Sequence, residues 1–425
     1  MSVGVGILGG GTVGGTLARK LIEDHGIIAA KSGIDLELVK VAVRDASKER
    51  SFPAEYVATD PFSVVDDPAV ELVVEVMGGL EPAGELVLRA LAAGKPVVTA
   101  NKELVAARGP ELIAQAAATG VSLLFEAAVG GGIPLIRPLS ESLAGERLTR
   151  ILGIVNGTTN YILTAMDAEG RDYADVLSEA QALGYAEADP TADVGGGDAA
   201  SKAAILAGLG FGQWVGSDRV YREGIDGISS VDIGFARDLG YCVKLLAVAE
   251  QSDSGVAVRV HPALVPLEHP LAAIRGANNA VFIEGPSVGE LLFSGPGAGG
   301  EPTATAVLGD VIDAARELLS GTQVAPRIRF GEAMVADFES VDTKWYVRLE
   351  VVDAPGVLAQ IASAFGDHGV SIMSVWQEGR GDAATLLLIT HDALESAHRA
   401  AIDSLTRLDV VRQVAATLRV ISSEP

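Results

Sequence analysis

The chain has 425 residues, 48% of them hydrophobic and 21% charged, with a formal net charge of -24. That length exceeds one ordinary core, so two or three domains are expected, and the globular composition excludes a disordered chain. The acidic balance argues against nucleic acid or an anionic membrane as partner, and no run of about 18 apolar residues suggests a membrane span.

The N-terminus MSVGVGILGG has no basic leader, so no secretory signal is read. The single cysteine, Cys242, lies in the apolar run YCVKLLAVA and reads as a buried thiol. A cytoplasmic location fits that usage. In chain order, residues 3–8, 37–43, 71–76, 96–100 and 121–127 read as buried strands. Helical patterns alternate with them, which implies a Rossmann-type doubly wound parallel sheet, an α/β fold. From about Gly132 an α+β domain is expected, with helices at 173–183, 198–210 and 232–241 and strands at 256–266, 280–285 and 289–296. YCVKLLAVAE reads either as an extension of the helix before it or as a strand. The amphipathic helix 303–319 is expected to return to the first domain. Residues 321–344 lack periodicity and read as a linker. The remainder follows a β-α-β-β-α-β order, a ferredoxin-like module.

Gly9-Gly10-Gly11-Thr12-Val13-Gly14 fits the dinucleotide fingerprint between a strand and a helix. Gly9, Gly11 and Gly14 permit the tight turn and close approach to a pyrophosphate, with Thr12 and Val13 opening the helix. The second strand ends with Arg44 before Asp45, an order that favours NADP, with NAD as the alternative. Thr99, Ala100, Asn101 and Lys102 end a parallel strand, where the ligand crevice of such sheets opens.

Asp198 and Lys202 are four apart in an expected helix and share a face. A surface ion pair is the plain interpretation. The preceding Gly195-Gly196-Gly197 run favours a functional one, because flexible residues before a helix are costly unless something approaches closely.

These motifs, read in order, resemble the homoserine dehydrogenases: GGGTVG, TANKELVA, FEAAVGGGIP, GIVNGTTNYIL, LGYAEADPTADVGGGDAASK and GPGAGGEPTATAV. The resemblance spans essentially the whole chain. It implies NAD(P)-dependent interconversion of L-aspartate 4-semialdehyde and L-homoserine, toward threonine, isoleucine and methionine. With no kinase-sized segment before Gly9, the monofunctional form is expected. By resemblance, Lys202 is the proton donor, Asp198 and Glu187 hold substrate with Glu187 at its ammonium group, and Lys102 is a second site lysine. Gly184, Gly297, Ala298 and Gly299 are expected at the cofactor and Tyr185 beside the substrate. Asn156, Gly157, Thr158 and Thr159 are expected to line the cleft. FEAAVGGGIP resembles the family's monovalent-cation loop, with Glu126 and the carbonyls of Val129, Gly131 and Ile133 as ligands to a cation such as sodium. Asp189 and Asp193 receive no role.

Asp353-Ala354-Pro355-Gly356-Val357-Leu358 resembles the first turn of an ACT domain, which implies amino-acid binding and threonine as the expected feedback effector. The expected organisation is 1–132 plus 303–322 as the NAD(P)-binding domain and 133–302 as the catalytic and dimerisation domain. Residues 323–343 follow as linker and 344–425 as ACT domain. A homodimer or homotetramer is expected. The alternatives are another semialdehyde or amino-acid oxidoreductase, and a non-catalytic amino-acid sensor.

Overall fold

The computed structural model describes residues 2–321, 328–331, 333–379 and 384–422. Residues 1 and 322 of the expected first domain, 323–327 and 332 of the expected linker, and 380–383 and 423–425 of the expected ACT domain lie outside the described residues. In chain order the elements begin β1 (Ser2–Leu8), α1 (Thr12–Glu23), α2 (His25–Ser32), β2 (Asp35–Ala42), β3 (Val57–Ala58), α3 (Phe62–Val65), β4 (Leu72–Glu75), α4 (Ala83–Ala92), β5 (Val97–Thr99), α5 (Lys102–Thr119) and β6 (Leu123–Leu124). They continue β7 (Arg150–Ile154), α6 (Gly157–Glu169), α7 (Tyr173–Ala182), α8 (Thr191–Val194), α9 (Gly197–Phe211), β8 (Tyr221–Arg222), α10 (Ser230–Asp238), β9 (Tyr241–Ser252), β10 (Gly255–Pro266), β11 (Asn278–Gly285), β12 (Gly289–Pro296) and α11 (Gly300–Ser320). The last are β13 (Asp342–Val351), α12 (Val357–Gly366), β14 (Ile372–Glu378), β15 (Ala384–Thr390), β16 (Ala393–Leu394), α13 (Glu395–Leu405) and β17 (Val411–Val420). The chain divides into two compact units, 1–151 with 201–219 and 279–333, and 152–200 with 220–278 and 334–425.

The first unit holds a six-stranded sheet in the order β3-β2-β1-β4-β5-β6, parallel throughout. Chain direction across the sheet reverses between β1 and β4, which is where a doubly wound sheet binds its ligand. Its strands are apolar on both faces, as burial under helices requires. One core joins Val5, Ile7, Leu36, Val74 and Val98 of the sheet to Leu17 and Leu21 of α1. Ala304, Val307, Val311 and Ala314 of α11 belong to the same core, so this late helix does return to the first sheet.

In the second unit, β9 and β10 form a long antiparallel hairpin from Gly255↔Ser252 to Pro266↔Tyr241. YCVKLLAVAE is therefore strand. Residues 242–249 are all buried, so the run shows no alternation to separate strand from helix by period. β17, β13, β15 and β14 lie side by side in that order, with α12 and α13 supplying helices to one apolar core around Val347, Ile361, Phe365 and Leu388. This is the ferredoxin-like arrangement expected from the β-α-β-β-α-β order.

The terminal module is not hung on a tether. β17 pairs in parallel with β10 at Ala263↔Arg419 and Leu264↔Val420. Val335 bridges Val256, and the Phe338 ring lies 4.3 Å from that of Tyr221. Arg419, almost fully buried, donates to Glu395 at 2.6 Å and pairs with Glu223. Arg348 pairs with buried Asp232 at 2.7 Å.

Two imidazoles are enclosed here. His398 donates from Nε2 to the Thr343 carbonyl at 2.8 Å, and burial holds its pKa below the usual 6.5. Burial, with Arg419 and Arg259 nearby, holds His261 further down. A depressed folded pKa means that the unfolded chain takes up protons the folded one refuses. Their contribution is fully present above about pH 6.5 and is lost as pH falls through the folded values. His398→Gln, which keeps the donor without a titrating ring, is therefore expected to lower melting temperature less steeply than wild type between about pH 7 and pH 5. Parallel slopes in thermal scans would refute it.

Candidate active site

The turn after β1 is built for close approach. Gly9 has φ +108, and a Cβ there would sit 2.7 Å from the Val76 carbonyl oxygen. A Cβ on Gly14 would sit 1.8 Å from the Gly9 carbonyl oxygen. Gly11 leads α1 without a side-chain cap, so the first N–H groups of the helix face outward as an anion cradle. An open cavity of about 430 Å³ is lined by Gly9–Gly11, Arg44, Asp45, Lys48, Arg50, Met77, Gly78 and Glu81, among others.

The structure brings more charge to that cavity than Arg44 alone. The carboxylate of Asp45 is turned back on its own loop, accepting from the Ser47 hydroxyl at 2.6 Å and amide at 2.9 Å. Those bonds hold its pKa below the usual range. Arg50 donates to the Lys48 carbonyl at 2.6 Å and to the Asp45 carbonyl. Lys48 and Arg50 were not singled out from the sequence, although RDASKER, directly after β2, carries both.

Thr99 and Ala100 end β5, and Lys102 opens α5. Asn101 caps that helix, accepting from the Leu104 amide at 3.1 Å. The Thr99 hydroxyl points inward, donating to Glu75 at 2.6 Å. On the other side, Gly297 packs flat on the Asn279 amide, where a Cβ would lie 2.1 Å away. Gly299, with φ +118, leads α11, and the next residue, Gly300, abuts Thr12 at the start of α1. The GPGAG segment thus reaches the dinucleotide turn.

Gly131 lies against the Gly297 carbonyl, where a Cβ would meet oxygen at 2.5 Å. Glu126, in the expected cation loop, has its carboxylate occupied. It accepts from the amides of Leu135, Ile136 (2.8 Å) and Arg137 (2.9 Å). The Glu126 amide donates to buried Asp310 at 2.8 Å, which Arg137 also contacts at 2.8 Å. Burial pushes the Asp310 carboxyl up to about 7. Among the described residues no group of three or more His, Cys, Asp or Glu could hold a metal ion.

In the second unit, Asn156 is a hub. Its Nδ2 donates to Asp193 at 2.7 Å and to Asp198 at 2.9 Å. Its Oδ1 caps α6, accepting from the Thr159 amide at 2.9 Å. Asp193, without a role in the sequence, thus shares one amide with Asp198. Gly157 is the first residue of α6, and the Thr158 hydroxyl donates to the Tyr185 carbonyl at 2.6 Å. Tyr185 and Glu187 are exposed, and Gly184 has φ +77. Asp189 folds onto Thr191, which explains it as a turn residue. Gly196, with φ +80, packs against Val260 and the Glu223 carbonyl, so chain packing accounts for that glycine. Asp198 lies in the first turn of α9, and Lys202 follows one turn later on the same helix.

In the terminal module, Gly356 has φ +90 and leads α12 without a side-chain cap. Val357 is buried, Leu358 is exposed, and Asp353 accepts from Gln377 at 3.2 Å.

Comparison with known proteins covers the whole of this ground. A family model described as Homoserine dehydrogenase matches residues 134–312, one described as Homoserine dehydrogenase, NAD binding domain, matches 9–126, and one described as ACT domain matches 345–406. A homoserine dehydrogenase of Corynebacterium glutamicum is 47% identical over 98% of this chain and 95% of its own length. One from Bacillus subtilis is 41% identical over 99% and 98%. The crystal structure of a homoserine dehydrogenase from Thiobacillus denitrificans superposes with a TM-score of 0.93 at 41% identity, covering 99% of both chains. A hyperthermophilic archaeal homoserine dehydrogenase in complex with NADPH has a TM-score of 0.64 at 31% identity, covering 75% of this chain and 98% of that one.

Removing the hub should be visible in stability. Asn156→Ala is expected to lower the unfolding free energy by about 1 kcal/mol through the lost cap, and further because two carboxylates lose a shared donor. Denaturant titration measures it, and a midpoint equal to wild type would contradict the account.

Proposed function

This chain belongs to the homoserine dehydrogenase family and is an NAD(P)-dependent oxidoreductase, and we propose that Lys202 is its proton donor, held by Asp198. The observation that carries this reading is the fixed carboxylate of Asp198, tied through Asn156 to Asp193 and set one helical turn before Lys202. Reduction of L-aspartate 4-semialdehyde builds negative charge on the aldehyde oxygen. An ammonium group beside that oxygen stabilises the charge and delivers the proton that makes the hydroxyl of homoserine. In the reverse direction the neutral amine of Lys202 takes the hydroxyl proton. Asp198 orients the lysine. Glu187, exposed on the turn after α7, suits the substrate's ammonium group, with Tyr185, Gly157 and Thr158 beside it. Lys102 contributes a second positive charge.

The nicotinamide supplies or accepts the hydride when bound. The glycine turn and open start of α1 fit a pyrophosphate, and the cavity beside them fits NADP better than NAD. Arg44, Lys48 and Arg50 surround the place a 2′-phosphate would take, while Asp45 is engaged by Ser47. Thr99, Ala100, Gly184 and Gly297–Gly299 complete the expected cofactor contacts. The backbone carbonyls of Glu126, Val129, Gly131 and Ile133 would hold a structural sodium ion. Threonine would bind at the Asp353–Leu358 turn of the ACT domain as an inhibitor, in a cytoplasmic homodimer or homotetramer. Among the described residues no helix is long and apolar enough to cross a membrane.

Lys202→Ala is expected to lose about 10²-fold or more of kcat while binding NADPH almost as well as wild type. Near-normal turnover in steady-state assays with homoserine would exclude Lys202 as proton donor. Arg44→Ala and Arg50→Ala are each expected to lower the NADP-to-NAD ratio of kcat/KM by about tenfold. An unchanged ratio removes these arginines from cofactor choice.

A further inference from the structure

Glu75 is the last residue of β4, fully buried, in a protein whose acids otherwise lie mostly at its surface or in turns. Both of its oxygens are engaged. Oε1 accepts from the Met77 amide at 2.8 Å and the Gly78 amide at 3.2 Å, and Oε2 accepts from the Thr99 hydroxyl at 2.6 Å. Thr99 is its register partner on β5, and the Thr99 oxygen accepts in turn from the Asn101 amide at 3.0 Å. Asn101 closes the ring by donating from Nδ2 to the Gly79 carbonyl at 2.7 Å.

The ring joins two neighbouring turns. Met77 and Gly78 line the dinucleotide cavity. Gly78 and Gly79 have φ of +75 and +74, a backbone that needs outside support to hold one shape. The other turn sets Lys102 at the head of α5. Two N–H groups and one O–H converge on Glu75, so the position calls for a group that only accepts. A carboxylate meets that demand directly, whereas a carboxamide would have to turn its NH2 onto the Thr99 oxygen, which already accepts from the Asn101 amide. Burial raises the Glu75 pKa, and the three donors oppose that shift.

We propose that Glu75 is a positioning residue for the hydride-transfer reaction, fixing the Met77–Gly79 turn against the turn that carries Lys102. The proposal rests on the reading of Lys102 as a site lysine.

The test uses full-length enzyme carrying Glu75→Gln, Lys102→Ala and both together, with kcat, NADPH dissociation constant and melting temperature measured for each. Glu75→Gln alone is expected to lower kcat about tenfold or more, and in the Lys102→Ala background by less than about twofold, because the group it places is gone. Equal losses in the two backgrounds, or no loss in the first, overturn the proposal. If Lys102→Ala by itself keeps near-normal kcat, the Lys102 reading has failed separately. Glu75 is then judged on NADPH, whose dissociation constant should rise several-fold in Glu75→Gln, and an unchanged value overturns it. Should Glu75→Gln not fold, Thr99→Val removes the same link without changing volume. It is expected to show the same loss, with Thr99→Ser restoring activity, and wild-type activity in Thr99→Val overturns the proposal.

Discussion

Backbone N–H groups left over where strands turn into helices govern much of this structure, and short polar side chains answer them. A buried N–H without an acceptor costs more than most single contacts return. Asn101 and Asn156 each cap a helix and use the other end of the same amide to hold a second turn or a carboxylate. Glu126 gathers three amides and Glu75 two. In each case one side chain satisfies backbone groups of a turn or helix start. By contrast, α1, α11 and α12 are led by glycines without side-chain caps.

The strong negative charge bears on the dinucleotide cavity in the same way. A chain with a net charge of -24 repels a polyphosphate at long range, so short-range geometry must compensate. It does so by collecting Arg44, Lys48 and Arg50 on one loop and by engaging one oxygen of Asp45 with Ser47. Engaging a carboxylate with a hydroxyl and an amide two residues on stabilises the tight turn. It also lowers the pKa of that acid beside the dinucleotide cavity.

The sequence carried the order and type of nearly every element, because strands buried on both faces and amphipathic helices leave strong local patterns. It carried the candidate site residues as motifs that resemble those of the family. What it could not carry was which atom of a side chain faces which partner. Glu126 was legible as part of an expected cation loop, but its three amide partners lie nine to eleven residues on and form only when the chain turns back. Asp193 had no partner in view because Asn156 stands 37 residues earlier. β9 was ambiguous because complete burial erases periodicity. Glu75 sits in the run ELVVEV, read as a buried strand, where the sequence shows neither the Thr99 hydroxyl nor the turn amides that satisfy its carboxylate.

The terminal module shows the same limit on a larger scale. Its internal fold follows from a β-α-β-β-α-β pattern, yet its attachment does not, since the pairing of β17 with β10 joins residues about 155 positions apart. That attachment has consequences for any effector. Arg419 on β17 contacts Glu223, whose carbonyl lies against Gly196, two residues before Asp198. A ligand at the Asp353–Leu358 turn would therefore act on a module that shares a continuous sheet with β10 and ion pairs with Glu223 and Asp232. Coupling through such packed, charged contacts requires that the ligand favour one arrangement of them over another, and a loose linker would transmit no such preference. Burial of Arg419 makes displacement costly, because a guanidinium separated from Glu395 would stay in a low-dielectric interior.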